Sequence, residues 1–308
     1  MVPDSSKALR GVKHLKLVAI VGPTASGKSA LAVELAKKFG GIIISADSRQ
    51  IYQGMNVGTT KISRGEMKGV SHYMLDVAEP GDDFNVALYQ KSVFNLLKHI
   101  EQKNKKLKNP IVPFVVGGTG LYVSAIADGL QFPSAPPNPA LRARLDKLPL
   151  ENLAKDLLKL DSDTQVDLKN KRRVIRAIEI LGSGQVRPAK TKPPFDVLKI
   201  GLGKNREEMK RRITARVKRM DIAALIKETK RLIKKKYDFN CPALSALGYK
   251  DVRDFINKKI AQEELLRKLI KLHTNYAKRQ MTWFKRDKKI RWIKTPRQAE
   301  KLIREFLS

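Results

Sequence analysis

The 308-residue sequence has a single cysteine, Cys241, which excludes an internal disulfide and any cysteine-rich zinc site. That usage fits a reducing compartment, so the cytoplasm is the expected location. No long hydrophobic run is present. The compact apolar stretch near the start, Leu15 to Val21, is too short for a membrane helix or a signal-peptide core, and a glycine-rich turn follows it, so no membrane association is expected. A fixed-period repeat is also absent, which excludes solenoid architectures. Acidic residues are scarce: 30 Asp and Glu face 63 Lys and Arg, giving a formal charge of +33. A compact state carrying that much charge repels itself unless a polyanion offsets it, which makes nucleic acid the first partner to test. A general bias toward lysine is the competing explanation.

What is present suits a folded chain of one or two domains: 42% hydrophobic residues over a length that can bury a large core. Residues 1–14 are polar and basic and read as a loose tail. Residues 17–21 read as a buried strand, 28–39 as a helix, 42–46 as a second strand, 87–100 as a helix and 111–116 as a third strand. The alternation predicts an α/β fold, a parallel sheet with helices on both faces. Prolines 133, 136, 137 and 139 then break the pattern. Helical stretches over 140–160 and 171–181, a Gly/Pro/Lys-rich segment over 182–194 and a returning strand over 197–202 follow; from Arg206 onward the pattern is helical and basic. The expected division is 15–130 as the first part of the core, 131–194 as a helical insertion, and 195–308 as the return to the core with basic C-terminal helices.

Gly22-Pro23-Thr24-Ala25-Ser26-Gly27-Lys28-Ser29 has two glycines spaced to wrap backbone N–H groups around an anion, followed by lysine and a hydroxyl residue. It lies between a strand and a helix, as a phosphate-binding loop must. Lys28 adds a point charge, and the Ser29 hydroxyl can hold a magnesium ion. Whether the bound phosphate belongs to a nucleotide is left open by the loop itself. Asp47-Ser48-Arg49-Gln50-Ile51-Tyr52 begins where the second strand ends, which puts Asp47 at the carboxyl edge of the sheet beside that loop. A plain helix cap is the competing role for Asp47. The third strand ends in Gly117-Gly118-Thr119-Gly120, with no acidic residue where many nucleoside triphosphatases hold a metal. This disfavours an ATPase.

These segments, together with Gly58-Thr59-Thr60-Lys61, His72-Tyr73-Met74-Leu75-Asp76, Val116-Gly117-Gly118-Thr119-Gly120-Leu121-Tyr122, residues 170–179 and 212–220, Gly248-Tyr249-Lys250 and Tyr276-Ala277-Lys278-Arg279-Gln280-Met281-Thr282-Trp283-Phe284, resemble the tRNA dimethylallyltransferases, also called tRNA isopentenyltransferases. The resemblance runs in the family's order over roughly residues 17 to 290. It implies a P-loop kinase-like α/β core with a helical insertion that grips the anticodon stem-loop of tRNA. It also implies transfer of a dimethylallyl group from dimethylallyl pyrophosphate to the N6 amine of the adenosine 3′-adjacent to the anticodon, in tRNAs reading codons that begin with U. Carried over by motif, Asp47 is similar to the general base, and Gly22 with Thr24, Ala25, Ser26, Gly27, Lys28 and Ser29 to the donor pyrophosphate site. Asp47, Ser48, Arg49, Gln50, Thr119, Arg142, Arg172, Arg173 and Arg176 are similar to positions that contact tRNA. Magnesium is the implied cofactor, and a monomer is expected.

The chemistry agrees with the resemblance. The exocyclic amine of adenine is a poor nucleophile, so a carboxylate that takes its proton lowers the barrier. Pyrophosphate leaves as a multiply charged anion that backbone N–H groups, Lys28 and a metal stabilise. The chain departs from the family at Thr274, where an arginine is usual, and at Leu168-Lys169-Asn170-Lys171. Trp283 and Trp292 suit packing of a terminal helix better than base stacking, whereas His72 is equally compatible with a cleft and with a structural role. An adenylate isopentenyltransferase, a small-molecule P-loop kinase and a non-catalytic RNA-binding protein are the rival readings.

Overall fold

The computed structural model describes residues 15–133, 135–185, 193, 195–245 and 248–308; the loose tail expected over 1–14 and most of the Gly/Pro/Lys-rich segment after residue 185 lie outside them. Contacts divide the described residues into one unit within 129–185 and a larger one built from those within 15–128 and 193–308.

The larger unit is organised on a six-stranded sheet of order β3-β2-β4-β1-β5-β6, in which every pair of neighbouring strands is parallel. The strands are β1 (Lys16–Val21), β2 (Gly41–Ser45), β3 (His72–Tyr73), β4 (Val112–Gly117), β5 (Asp196–Leu202) and β6 (Arg291–Ile293). Both faces of β1 are covered, which explains why Leu17 to Val21 is an unbroken apolar run and not an alternating one. Val18 and Ile20 pack with α1 (Lys28–Lys38) and with Ala299 and Ile303 of α12 (Pro296–Leu307), while the one-turn α2 (Arg64–Met67) buries no residue. On the other side α3 (Val86–Asn104) and α4 (Gly120–Ala127) pack together through Tyr89 stacked on Tyr122, ring centroids 4.3 Å apart, and α4 packs on β1 and β4. Because all strands run the same way, the ends of β1, β2 and β4 bring Gly22, Asp47 and Gly118 to one edge.

Lys199 lies buried in β5, where Asp128 and Asp287 both accept from its ammonium, the second at 2.6 Å. A buried cation in a central strand is tolerated only with such partners.

Four helices, α8 (Arg206–Lys218), α9 (Ile222–Lys234), α10 (Tyr249–Ile256) and α11 (Gln262–Phe284), share a second core with Ile51, Tyr52 and Met55. Leu265, Leu269, His273, Ala277, Gln280 and Phe284 form the buried stripe of α11. The spacing of three and four is the helical period of an element that buries one face.

The smaller unit holds α5 (Pro139–Asp146), α6 (Leu150–Leu160) and α7 (Lys171–Gly182), whose apolar faces meet around Leu153, Leu157 and Val174. Glu179 of α7 is its polar centre: it accepts from Asn138 N at 2.5 Å, from Arg142 at 2.7 and 3.0 Å and from Arg176 at 2.5 Å. Burial pushes the Glu179 carboxyl up, but Arg142, the Asn138 N–H and Arg176 outweigh it and hold the group at about 2.

Three expectations are corrected. The helix expected over 140–160 is two helices, because Pro149 supplies no N–H and fixes an extended backbone before α6. The strand expected to be third is fourth, since His72 and Tyr73 form a two-residue strand at the edge of β2. The helical pattern after Arg206 is interrupted by β6, so Trp292 stands on an edge strand against Gly201 and not on a terminal helix.

Candidate active site

The loop between β1 and α1 curls around its own N–H groups. Ala25 and Gly27 both adopt positive φ, 61° and 91°. At Gly27 that conformation ends the loop and opens α1 without a side-chain cap, so the first N–H groups of the helix remain available to an anion. The Ser26 hydroxyl is buried and has no partner among the described residues. Lys28 folds back over the loop, Nζ to Pro23 O 3.2 Å, while the Ser29 side chain is exposed. Burial pulls the Lys28 ammonium down to about 8; the Asp47 carboxylate opposes that shift and the Arg216 guanidinium adds to it.

The turn after β2 is held by Asp47 and Thr119. Oδ1 of Asp47 accepts the Arg49 N–H at 2.9 Å, an Asx turn, and no helix follows; the helix-cap role is therefore ruled out. Thr119 accepts from Ser48 N at 3.0 Å through its hydroxyl and donates its own N–H to Ala46 O at 3.1 Å, joining the ends of β2 and β4. Gln50 donates to the carbonyls of Thr59 and Thr60, both at 3.3 Å.

Helices from the far end of the chain complete the site. Gln280 of α11 accepts Thr24 N–H at 2.8 Å and donates to Gly118 O at 3.0 Å. A Cβ at Gly118 would lie 2.1 Å from Gln280 Nε2, so a larger residue there would displace the amide that bridges the two loops. Arg216 of α8 donates to the Thr24 hydroxyl at 3.0 Å. Tyr276 lies beside Thr119, and burial together with the Asp47 charge pushes its phenol up to about 12. Loop 56–58 is clasped by the buried carboxylate of Glu228, which accepts from Asn56, Val57 and Gly58 N–H at 2.7, 3.0 and 3.1 Å and from the Tyr249 hydroxyl at 2.7 Å.

Thr24, Lys28, Asp47, Gln50, Arg216, Tyr276 and Gln280 line one cleft of about 580 Å³. Lys28, Arg49, Arg211, Arg212, Arg216 and Arg219 line it, with Asp47 as the acidic group. Such a cavity favours a multiply charged anion and keeps a carboxylate next to it. Thr24, Ala25, Gly27, Lys28, Ser29, Asp47, Arg49 and Gln50, expected from sequence, all line it. Ser48 and Thr119 support it from behind through the contacts above, Gly22 through close approach to Leu202 O, and Ser26 through its N–H, which donates to Pro23 O at 3.3 Å. Arg142, Arg172, Arg173 and Arg176 belong to the helical unit. There Arg172 and Arg173 are exposed, whereas Arg142 and Arg176 are tied to Glu179.

Sequence reasoning missed Arg216, His273, Tyr276 and Gln280 as cleft residues. The available signals were that Arg216, Tyr276 and Gln280 fall inside the 212–220 and 276–284 segments that carry the family resemblance, and that His273, Tyr276 and Gln280 are spaced by three and four. His72 bonds Val70 O at 2.8 Å and does not line the cleft. Trp283 packs over Gly120, at 2.2 Å from where a Cβ would be. Thr274 carries a buried hydroxyl with no partner among the described residues and is not among the cleft's lining.

The comparisons agree with this architecture. The family model described as IPP transferase matches residues 50–287. The chain is 40% identical over 293 residues to a tRNA dimethylallyltransferase of Pelotomaculum thermopropionicum, covering 92% of this chain and 91% of that one. Among solved structures, a tRNA isopentenylpyrophosphate transferase of Bacillus halodurans is 34% identical with a TM-score of 0.68, covering 95% of this chain and 94% of its own. A tRNA delta(2)-isopentenylpyrophosphate transferase of Staphylococcus epidermidis is 31% identical at the same TM-score, covering 95% and 98%. No described helix is long and apolar enough to cross a membrane. A phosphate loop, a carboxylate at the end of β2 and an arginine-lined cleft on a parallel sheet thus occur in a chain similar to these enzymes over nearly its whole length, and the chain belongs to the IPP transferase family of tRNA dimethylallyltransferases, which are prenyltransferases.

Proposed function

We propose that the chain transfers a dimethylallyl group from dimethylallyl pyrophosphate to the N6 amine of the adenosine 3′-adjacent to the anticodon, in tRNAs reading codons that begin with U. The observation that carries this reading is the shared cleft: a phosphate loop and one carboxylate face the same space, with cations around them. The donor's pyrophosphate occupies the loop, against the free N–H groups of α1 and the Lys28 ammonium. Asp47 keeps Oδ1 on the Arg49 N–H and accepts the N6 proton at Oδ2, which accepts no hydrogen bond from the described residues. As that proton leaves, the N6–C1 bond forms, the C1–O bond to pyrophosphate breaks, and the electron pair departs with the leaving group. Positioned general-base catalysis of this kind is worth about 10²–10⁴ in rate.

The oxygen ligands here suit magnesium. Ser29 exposes a hydroxyl beside the loop that could ligate the ion, and donor phosphate oxygens would complete the shell. Bound there, magnesium neutralises charge on those oxygens.

The acceptor base must leave the anticodon loop stack to reach the cleft, at a cost of a few kcal/mol. Arg172, Arg173 and the +33 of the chain offset that cost through phosphate contacts. Mass spectrometry of nucleosides from tRNA incubated with the protein and dimethylallyl pyrophosphate tests the reading. N6-dimethylallyladenosine in tRNA is the expected product; unmodified tRNA alongside prenylated AMP would overturn it.

A further inference from the structure

The face of α11 that meets the cleft carries His273, Tyr276 and Gln280, and two of the three have their polar atoms engaged. Gln280 uses both ends of its amide, and Tyr276 stands against Thr119. His273 differs. Its ring is 6% exposed, and Nε2 has no hydrogen-bond partner among the described residues although the residue lines the cleft. A buried polar nitrogen left without a partner destabilises the fold, so its persistence on the wall of a ligand cleft calls for an explanation outside the chain.

The surroundings specify what would satisfy it. Burial, joined by the charge of the Arg216 guanidinium, holds the His273 imidazole at about 4, so at neutral pH the ring is uncharged. Arg216 spends Nη1 on Thr24 Oγ1 of the phosphate loop. His273 therefore stands on the phosphate-loop flank of the cleft, next to a group that can only donate. With its single proton placed on Nε2, an uncharged imidazole beside a guanidinium and close to a loop built for anions lacks an acceptor. A pyrophosphate oxygen is one.

We infer that His273 is a donor-binding residue, its Nε2–H hydrogen-bonding an oxygen of the prenyl donor's pyrophosphate alongside Arg216. The inference deepens the reaction proposed above and rests on it for the identity of the donor. It assigns His273 to the donor side of the cleft, with no part in reading the acceptor base.

Calorimetric titration of the full-length protein with inorganic pyrophosphate, with steady-state kinetics for dimethylallyl pyrophosphate and tRNA, tests it on His273→Leu and His273→Gln. Loss of a hydrogen bond to a charged group corresponds to about tenfold or more in affinity. His273→Leu is expected to weaken pyrophosphate binding and raise the donor KM about tenfold, with the tRNA KM within about twofold of the parent. Its melting temperature should be no lower, since an unsatisfied polar atom has been removed. His273→Gln, which keeps an N–H donor, should recover most of the pyrophosphate affinity. Parental pyrophosphate affinity in folded His273→Leu, or a rise confined to the tRNA KM, would overturn the assignment. Should His273→Leu fail to fold, His273→Gln against the shorter His273→Asn decides: a tenfold gap in pyrophosphate affinity supports the contact, and equal affinity overturns it. Pyrophosphate binding needs no transfer step, so failure of the parent to prenylate tRNA would sink the proposed reaction while leaving the His273 result readable.

Discussion

Gln280 and Thr24, 256 positions apart, are joined by a 2.8 Å hydrogen bond from the Thr24 N–H to the Gln280 side-chain oxygen. The amide's other end donates to Gly118 O, so one side chain fixes the loops that follow β1 and β4 against each other. Replacing it with leucine conserves volume and leaves the Thr24 N–H and the Gly118 carbonyl unsatisfied. Gln280→Leu is expected to lose about 1–3 kcal/mol of stability and to raise the donor KM, because the phosphate loop is no longer held. Chemical denaturation and donor titration check this; an unchanged denaturation midpoint would count against the clamp.

Asp47→Asn separates the base from the scaffold. The asparagine oxygen still accepts the Arg49 N–H, so the Asx turn and the fold survive. The group can no longer take a proton. Single-turnover transfer should fall by at least about 10² with tRNA affinity nearly unchanged, and a rate within a few-fold of the parent would remove Asp47 from the chemistry.

Lys28 gives the site a pH dependence with a definite sign. Its ammonium is held at about 8, chiefly by burial, so the loop keeps this cation below that pH and loses it above. Pyrophosphate affinity of the free enzyme should therefore fall as pH rises through about 8, and binding at pH 9 should take up a proton, since the bound anion favours the charged form. Lys28→Ala should bind weakly at every pH and lack this step. Titrations from pH 7 to 9.5 in buffers of different ionisation enthalpy measure both effects.

The arginines of α7 divide into two kinds. Arg172 and Arg173 are exposed, and their joint replacement by alanine should lower the slope of log K against log salt for an anticodon stem-loop by about 0.7–0.9 per lost phosphate contact, with similar losses for different tRNA sequences. Arg176 bonds Glu179 and Ala135 O. Arg176→Ala should act mainly on the stability of the helical unit, by about 1–3 kcal/mol as for a lost hydrogen bond to a charged group, since Arg142 and the Asn138 N–H still hold Glu179. The same pair predicts acid sensitivity. Because the Glu179 carboxyl is held at about 2, below its ordinary value, its stabilisation is present at neutral pH and is lost as pH falls from roughly 4.5 toward 2. Circular dichroism during acid titration of parent and Arg176→Ala would show it, and a parental acid midpoint in the variant would refute the role given to Arg176.

The sequence by itself determined the parts whose chemistry is contiguous. The phosphate loop is eight successive residues between an apolar strand and an amphipathic helix, and both the backbone freedom at Gly27 and the charge of Lys28 are local properties. The strand runs at 17–21, 42–46 and 111–116 were legible for the same reason, because a strand covered on both faces must be apolar throughout. Strands of two or three residues, His72–Tyr73 and Arg291–Ile293, carry too few positions to show a period; only hydrogen bonds from an existing strand make them strands. The Pro149 break divided a helix whose apolar spacing continued across it. What tertiary structure alone decided is the far wall of the cleft. Arg216, His273, Tyr276 and Gln280 sit in helices of unremarkable basic composition, and nothing local says which face of each turns toward the phosphate loop. That choice follows from burying Leu265, Leu269 and Ala277 against Ile213 and Val217 in one core. Once those apolar residues are buried, the 3.6-residue period carries the polar ones to the cleft.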